Sequence, residues 1–105
     1  MDYLPEIYKE FQRHHPELSE AYGELAGRCL QAGPLDEKTA ELVRLGIAVG
    51  LSSEGAVRSH ARRALAGGAS KDEVRHAVLL ALTTAGFPAM IAAMGWLNEV
   101  LDRGG

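Results

Sequence analysis

Residues 53–73 read SEGAVRSHARRALAGGASKDE. On an α-helix, the small and apolar side chains of this run would share one face, because they recur at spacings of three and four. Gly67 and Gly68 end the pattern, and Ser70 with Glu73 then forms the capping box that opens another helix. The stretch therefore predicts two helices joined by a short connection. The shared face carries Ser53, Ala56, Val57, His60, Ala64 and Leu65.

The histidine of this run lies apart from its charged residues. Glu54, Arg58 and Arg62 recur four apart and form a separate face, with the carboxylate N-terminal to the guanidinium as helical ion pairs prefer. His60 falls among small apolar residues, where an imidazole needs a hydrogen-bond partner or a chemical role. From the spacing alone, a hydrogen-bonded core histidine is the commoner of these two alternatives.

Helix start and stop signals along the rest of the chain predict an all-α bundle of about six antiparallel helices. Connections of a few residues favour antiparallel neighbours, and no run of alternating β-branched residues indicates a strand. The predicted helices cover about residues 4–13, 16–31 and 36–49, a fourth beginning at Ser52 or Ser53 and ending at Gly67, a fifth beginning at Ser70, and a sixth over about 88–101.

Length, charge and cysteine content narrow the class of protein. A chain of 105 residues forms one domain, residues 1–105, and its net charge of −3 argues against nucleic acid or an anionic membrane as partner. The single Cys29 excludes an internal disulfide and a cysteine-based zinc site. His14, His15 and His76 show no metal-ligand spacing with a carboxylate, so no metal is expected. A lone thiol fits the reducing cytoplasm, and the acidic first residues do not resemble a signal peptide.

The uncharged run over residues 77–97 is long enough to cross a bilayer. Gly86, Phe87 and Pro88 interrupt it with turn chemistry, so two helices buried nearly all round are the better interpretation. A small domain cannot bury two such helices alone. We therefore expect a homo-oligomer whose subunit interface covers part of them, and no membrane insertion.

Four runs together resemble the carboxymuconolactone decarboxylase family, which includes the alkylhydroperoxidase D-like proteins. The resemblance spans about residues 17–101 and implies an alkylhydroperoxidase D-like helical bundle that assembles as a trimer or hexamer. It also implies a small-molecule ligand and no cofactor, as in a cofactor-free lyase. The carrying runs are LDEKTAEL (35–42), HARRALAGGAS (60–70), DEV (72–74) and AGFPA (85–89).

The chain departs from the peroxidase branch of this family at two positions. That branch carries cysteines seven and four residues before the histidine, and Ser53 and Ala56 stand there in this chain. The glutamate and the histidine of the family's proton relay remain, as Glu41 and His60. The resemblance implies that both face one pocket between the third and fourth helices and are the catalytic candidates. By spacing alone, Glu41 beside Lys38 and Arg44 would be part of a solvated ion-pair face.

Two further residues are candidates for substrate binding. Ser53 stands at the first thiol position, although it lacks the G-x-S-x-G context of a serine nucleophile and an N-cap role is the commoner one. Arg62 belongs to a basic cluster that could hold an anionic substrate. A solvated face paired with Glu54 and Asp72 is the commoner role for such a cluster. Its members are Arg58, Arg62, Arg63, Lys71 and Arg75.

Three functions remain open from the sequence. The first is a cofactor-free small-molecule lyase that uses His60 as acid or base. The second is a peroxiredoxin-related antioxidant protein, which the absence of paired thiols opposes because peroxide reduction needs an activated and a resolving cysteine. The third is a non-catalytic helical oligomer that binds a ligand or a partner.

Overall fold

The computed structural model describes residues 5–102, which form six α-helices, one short 3-10 helix and no strand. The predicted all-α fold with six helices is confirmed. No helix in this range is both long and apolar enough to cross a membrane. The elements are α1 (Glu6–His14), α2 (Pro16–Gln31), α3 (Glu37–Gly50), α4 (Glu54–Ala66), α5 (Lys71–Leu79), the 3-10 helix (Leu80–Thr83) and α6 (Phe87–Asp102).

The chain divides into two compact units, and the boundary falls between Pro34 and Leu35. The first unit contains α1 and α2, and neither helix has a buried residue. Non-helical backbone at His15 separates them, as expected for a residue that precedes proline. The predicted first residue of α1, Leu4, lies outside the described residues, and Pro5 occupies the N-cap position.

The second unit begins with a hairpin of α3 and α4. Asp36 caps α3, since its carboxylate accepts a hydrogen bond from the backbone N–H of Thr39 at 2.8 Å. Gly67, just after α4, lies against the side chain of Glu37 in the first turn of α3. The start of α3 is therefore beside the end of α4, and the two helices run antiparallel as predicted.

A tight connection turns the chain from α3 into α4. Ser52 has a φ of 53°, in the left-handed region that a non-glycine residue enters only at an energetic cost. Ser53 follows at the N-cap position of α4, where its backbone N–H donates to the carbonyl of Ala48 at 3.1 Å. Its side chain makes no capping hydrogen bond, so the predicted position of the cap is right while its predicted hydroxyl contact is not.

Reciprocal hydrogen bonds fix the start of α5. The Ser70 hydroxyl accepts from the Glu73 backbone at 3.0 Å, and the Glu73 carboxylate accepts from the Ser70 backbone at 2.9 Å. The predicted capping box is therefore confirmed. Lys38 also contacts Glu73, at 3.2 Å, and thereby joins α3 to α5. The 3-10 helix that follows α5 was not predicted.

The core of the second unit draws residues from α3, α4, α5 and α6, which enclose one apolar cluster. Arg58 joins α4 to α6, since its guanidinium contacts both Glu54 and Glu99 at 2.9 Å. The fully buried side chains of greatest volume are Leu45, Leu97, Leu101, Val49, Val57, Val74 and Val78.

The uncharged run over residues 77–97 is only partly buried in the single chain, and its burial by a subunit interface stays a prediction. Val78, Ala81, Met90, Ala93 and Leu97 face the core, whereas several other large apolar side chains do not. Within each helical part of the run the buried residues recur at spacings of three and four, which gives that part an inner and an outer face. The large apolar side chains exposed on its outer face are Leu79, Leu80, Leu82, Phe87 and Ile91.

Candidate functional site

The second unit buries one carboxylate, and α3 supplies it. Glu41 is 3 % exposed, and it is the one charged residue classed as buried within residues 5–102. It lies one turn before Leu45 on the face of α3 that packs into the core, which explains its burial. The interpretation of Glu41 as part of a solvated ion-pair face is therefore wrong.

The histidine lies at the edge of the buried face of α4 rather than at its centre. Val57, Ala61 and Ala64 define the buried face, and Ala61 was absent from the face predicted by spacing. The side chain of His60 keeps 22 % of its surface exposed. An edge position allows the ring to contact a buried residue on one side and solvent on the other.

The structure brings Glu41 and His60 into direct contact. Nδ1 of His60 lies 2.7 Å from Oε1 of Glu41, so neither water nor the Ser53 hydroxyl is needed to bridge them. The second carboxylate oxygen, Oε2, accepts a hydrogen bond from Nη1 of Arg44 at 3.0 Å. Each oxygen of the buried carboxylate therefore has its own donor.

Pairing with an ionised Glu41 would assign the tautomer of the ring. An ionised carboxylate has no proton to donate, so the ring nitrogen that faces Glu41 must carry one. In the neutral imidazole, the lone pair then lies on Nε2, which makes no hydrogen bond to any of the described residues. His60 therefore presents a base to its surroundings when neutral and an acid when protonated.

Ion pairing compensates the burial of the carboxylate. A buried charge is unfavourable unless it is paired and hydrogen-bonded, and Glu41 has a cation and a ring N–H within 3.0 Å. Lys38 stands at the same spacing from Glu41 as Arg44, on the N-terminal side, but its ammonium contacts Glu73 instead. Arg44 was missed as a site residue, because Lys38 has the same spacing of three from Glu41.

Ser53 immediately precedes α4, and Ala56 lies in the first turn of that helix. Both are half-buried, and they lie about two turns and one turn before His60 along the helix. No hydrogen bond joins Ser53 to Glu41 or His60 among the described contacts. The role of Ser53 in substrate binding stays a prediction.

Arg62 is the other predicted substrate-binding residue of α4, and this role stays a prediction. Arg62 and His60 are two positions apart on one helix, and side chains at this spacing leave it in different directions. Arg63, three positions after His60, shares its side of α4 and is exposed. Arg58 and Arg75 contact Glu54 and Asp72, the partners that the solvated-face interpretation names, but the Arg58 side chain is only 16 % exposed and therefore is not part of a solvated face.

Two other kinds of functional site are a metal site and a reactive thiol. No group of three histidine, cysteine or acidic residues within residues 5–102 could hold a metal ion. Cys29 is a free, exposed thiol on α2, in the first unit.

The all-α second unit and the contact between Glu41 and His60 agree with the alkylhydroperoxidase D-like fold that the sequence runs imply. The sequence model of the carboxymuconolactone decarboxylase family matches residues 16–99. The chain therefore belongs to the carboxymuconolactone decarboxylase family, as the sequence runs predicted.

A solved structure of this family and a second protein are similar to the chain. The crystal structure of apo-lpg0406, a carboxymuconolactone decarboxylase family protein from Legionella pneumophila, superposes with a TM-score of 0.77 at 25 % identity. The match covers 90 % of this chain and 85 % of that one. The uncharacterized protein MJ1511 of Methanocaldococcus jannaschii is 28 % identical over 100 residues, 94 % of each chain.

Proposed function

We propose that the protein is a cofactor-independent lyase that decarboxylates a small-molecule substrate, with His60 transferring the proton. The observation that carries this proposal is the 2.7 Å contact between Nδ1 of His60 and the buried Glu41. That contact orients the ring, assigns its tautomer and leaves Nε2 for the substrate. Histidine paired in this way is a common general acid–base group.

The reaction step requires one proton and no redox partner. The C–C bond to the substrate carboxylate breaks, CO₂ leaves, and the bonding electron pair stays on carbon. That carbon takes a proton from Nε2 of the His60 imidazolium, while Glu41 stabilises the imidazolium through Nδ1. Solvent then returns a proton to the partly exposed ring.

The family's peroxidase chemistry is the less suitable alternative. It needs a low-pKa thiolate and a resolving thiol, and Ser53 and Ala56 stand where those thiols would be. Cys29 lies on α2, outside the unit that contains His60. A lone thiol fits a reducing compartment, and we propose that the protein acts in the cytoplasm.

Decarboxylation of carboxymuconolactone tests the proposal. CO₂ release would be followed for the parent chain and for His60→Gln and Glu41→Gln, with folding checked by circular dichroism. We expect His60→Gln to lower kcat about 10²–10⁴-fold, as for loss of a general acid–base group. His76→Gln is the matched control, because His76 is an exposed histidine of α5.

Two results would contradict the proposal. One is a folded parent chain that releases no CO₂, which would favour a non-catalytic oligomer that binds a ligand or a partner. The other is a His60→Gln variant that keeps the activity of the parent. An equal loss in His76→Gln would mean that the effect is not specific to the Glu41–His60 pair.

We also propose that the protein is a homo-oligomer. Large apolar side chains remain exposed in the second unit on α3 as well as on the outer face of the uncharged run. Val43, Ile47 and Leu51 recur four apart and form one stripe along α3 that continues into its C-cap. Apolar surface of this kind commonly marks a protein interface. A trimer or a hexamer is what the family resemblance implies.

A further inference from the structure

Arg44 contacts the carboxylate oxygen of Glu41 that His60 does not contact. Its Nη1 donates to Oε2 at 3.0 Å, while His60 Nδ1 lies 2.7 Å from Oε1. We propose that Arg44 is a positioning residue, which keeps Glu41 ionised and turned so that Oε1 accepts the Nδ1 proton of His60. Its effect on catalysis rests on the proposed function, whereas its effect on the ring does not.

The burial of Glu41 is what makes a compensating cation necessary. The side chain of Glu41 is 4 % exposed, whereas that of Arg44 is 24 % exposed. Water cannot solvate the carboxylate well at this exposure, so the ionised form depends on the charge and the donors around it. Two donors are in place, and Arg44 is the permanently charged one.

Loss of that cation would change the proton distribution on the ring. The buried carboxylate could take up a proton, and its new O–H would then donate to Nδ1 and transfer the ring proton to Nε2. Otherwise the carboxylate would stay ionised by keeping His60 as an imidazolium. Either outcome removes the neutral ring with its proton on Nδ1 from the resting protein.

A second arginine of the same unit provides a matched control. Arg75 follows Asp72 by three residues on α5, the same spacing as Arg44 after Glu41. That pair is 3.7 Å apart, and its side chains are 45 % and 97 % exposed, so water already solvates both charges. Replacing Arg75 removes the same charge at the same helical spacing without uncovering a buried carboxylate.

Nitrogen NMR of the imidazole rings tests the proposal without a substrate. Spectra of ¹⁵N-histidine-labelled protein would be recorded at a pH where the parent His60 ring is neutral, with its signals assigned by their loss in His60→Gln. The parent is expected to show the Nδ1–H tautomer. Arg44→Met is expected to lose that signal, in favour of the Nε2–H tautomer or the imidazolium, and Arg75→Met to retain it.

Arg44→Lys keeps the experiment decisive if Arg44→Met does not fold. A lysine retains the charge without the guanidinium geometry, so we expect it to keep more of the Nδ1–H signal than Arg44→Gln, which removes the charge. An unchanged His60 pattern in Arg44→Met, or in Arg44→Gln if the former is unfolded, would overturn the proposal. So would an equal loss in Arg75→Met.

Failure of the lyase proposal would be visible separately. A tautomer change in Arg44→Met together with a parent chain that releases no CO₂ would leave Arg44 as a positioning residue and refute the lyase. If CO₂ release depends on His60 but the tautomer does not depend on Arg44, the lyase stands and the role of Arg44 is overturned.

Discussion

Glu41 combines two roles that are usually separate, since it is a buried core residue and also a partner of a titratable ring. We expect Glu41→Ala to lower the free energy of unfolding by roughly 1–3 kcal/mol, because it leaves two partly buried donors, on Arg44 and His60, without their acceptor. Urea denaturation of the parent and the variant would measure the change.

The control for this prediction is Glu24→Ala, which removes the exposed partner of Arg28 on α2. Exposed pairs contribute little, so this variant should unfold close to the parent. Equal stability of Glu41→Ala and the parent would show that the buried contacts of Glu41 have no net stabilising effect.

For individual residues, the sequence predicted that Glu41 and His60 lie together but not which cation lies beside Glu41. Proximity of Glu41 and His60 followed from the family resemblance, and the direct contact confirms it. Which cation accompanies Glu41 could not be predicted, because Lys38 and Arg44 are both three residues away. Lys38 pairs with Glu73 of α5 instead, which leaves Arg44 as the cation beside Glu41. This choice depends on tertiary packing.

The start of α5 is held by the capping box of Ser70 and Glu73. Because Glu73 acts as a carboxylate in this box, acid should weaken it. The Ser70 backbone N–H, and after it the Lys38 ammonium, lowers the pKa of Glu73 below its ordinary value of 4.5. A pKa that is lower in the folded state contributes stability above the unfolded value, and this stability is lost as the pH falls through the folded pKa.

We therefore expect Glu73→Gln to be less stable than the parent at neutral pH and to lose less stability on acidification. Denaturant midpoints at neutral pH and at a pH well below 4.5 would measure the difference between the two proteins. The gap should narrow in acid, because the parent loses the contribution of the ionised carboxylate. A gap of constant size would contradict the assigned cause.

Element boundaries set by local chemistry were predictable, and those set by packing were not. The capping box of α5 and the proline at the start of α2 determine their helix ends through neighbouring residues, and both were predicted. The end of α5 at Leu79 has no glycine or proline signal, and the 3-10 helix that follows depends on contacts with other elements. Propensity carries no information about such contacts.

The whole molecule is expected to assemble through the exposed apolar side chains of its second unit. Light scattering should give a mass that is a multiple of 11.3 kDa at micromolar concentration. Ile47→Glu, at a position 58 % exposed on α3, should shift the mass towards the monomer, because a carboxylate would be desolvated in the interface.

Gln31→Glu provides the comparison, since it places the same charge at an exposed, already polar position of α2, in the first unit. It should leave the oligomer intact if the apolar stripe of α3 is the contact. A parent chain that elutes and scatters as a monomer would contradict the expected assembly, whichever variant is compared with it.

The single thiol and the single indole of the chain lie in different units, Cys29 on α2 and Trp96 on α6. A fluorescent acceptor attached to the exposed thiol would receive excitation energy from the tryptophan with an efficiency that depends on their separation. One labelling reaction, without any substitution, thus converts movement between the two units into an optical signal. Titrating carboxymuconolactone against that signal would report whether binding beside His60 is accompanied by rearrangement of the N-terminal helices.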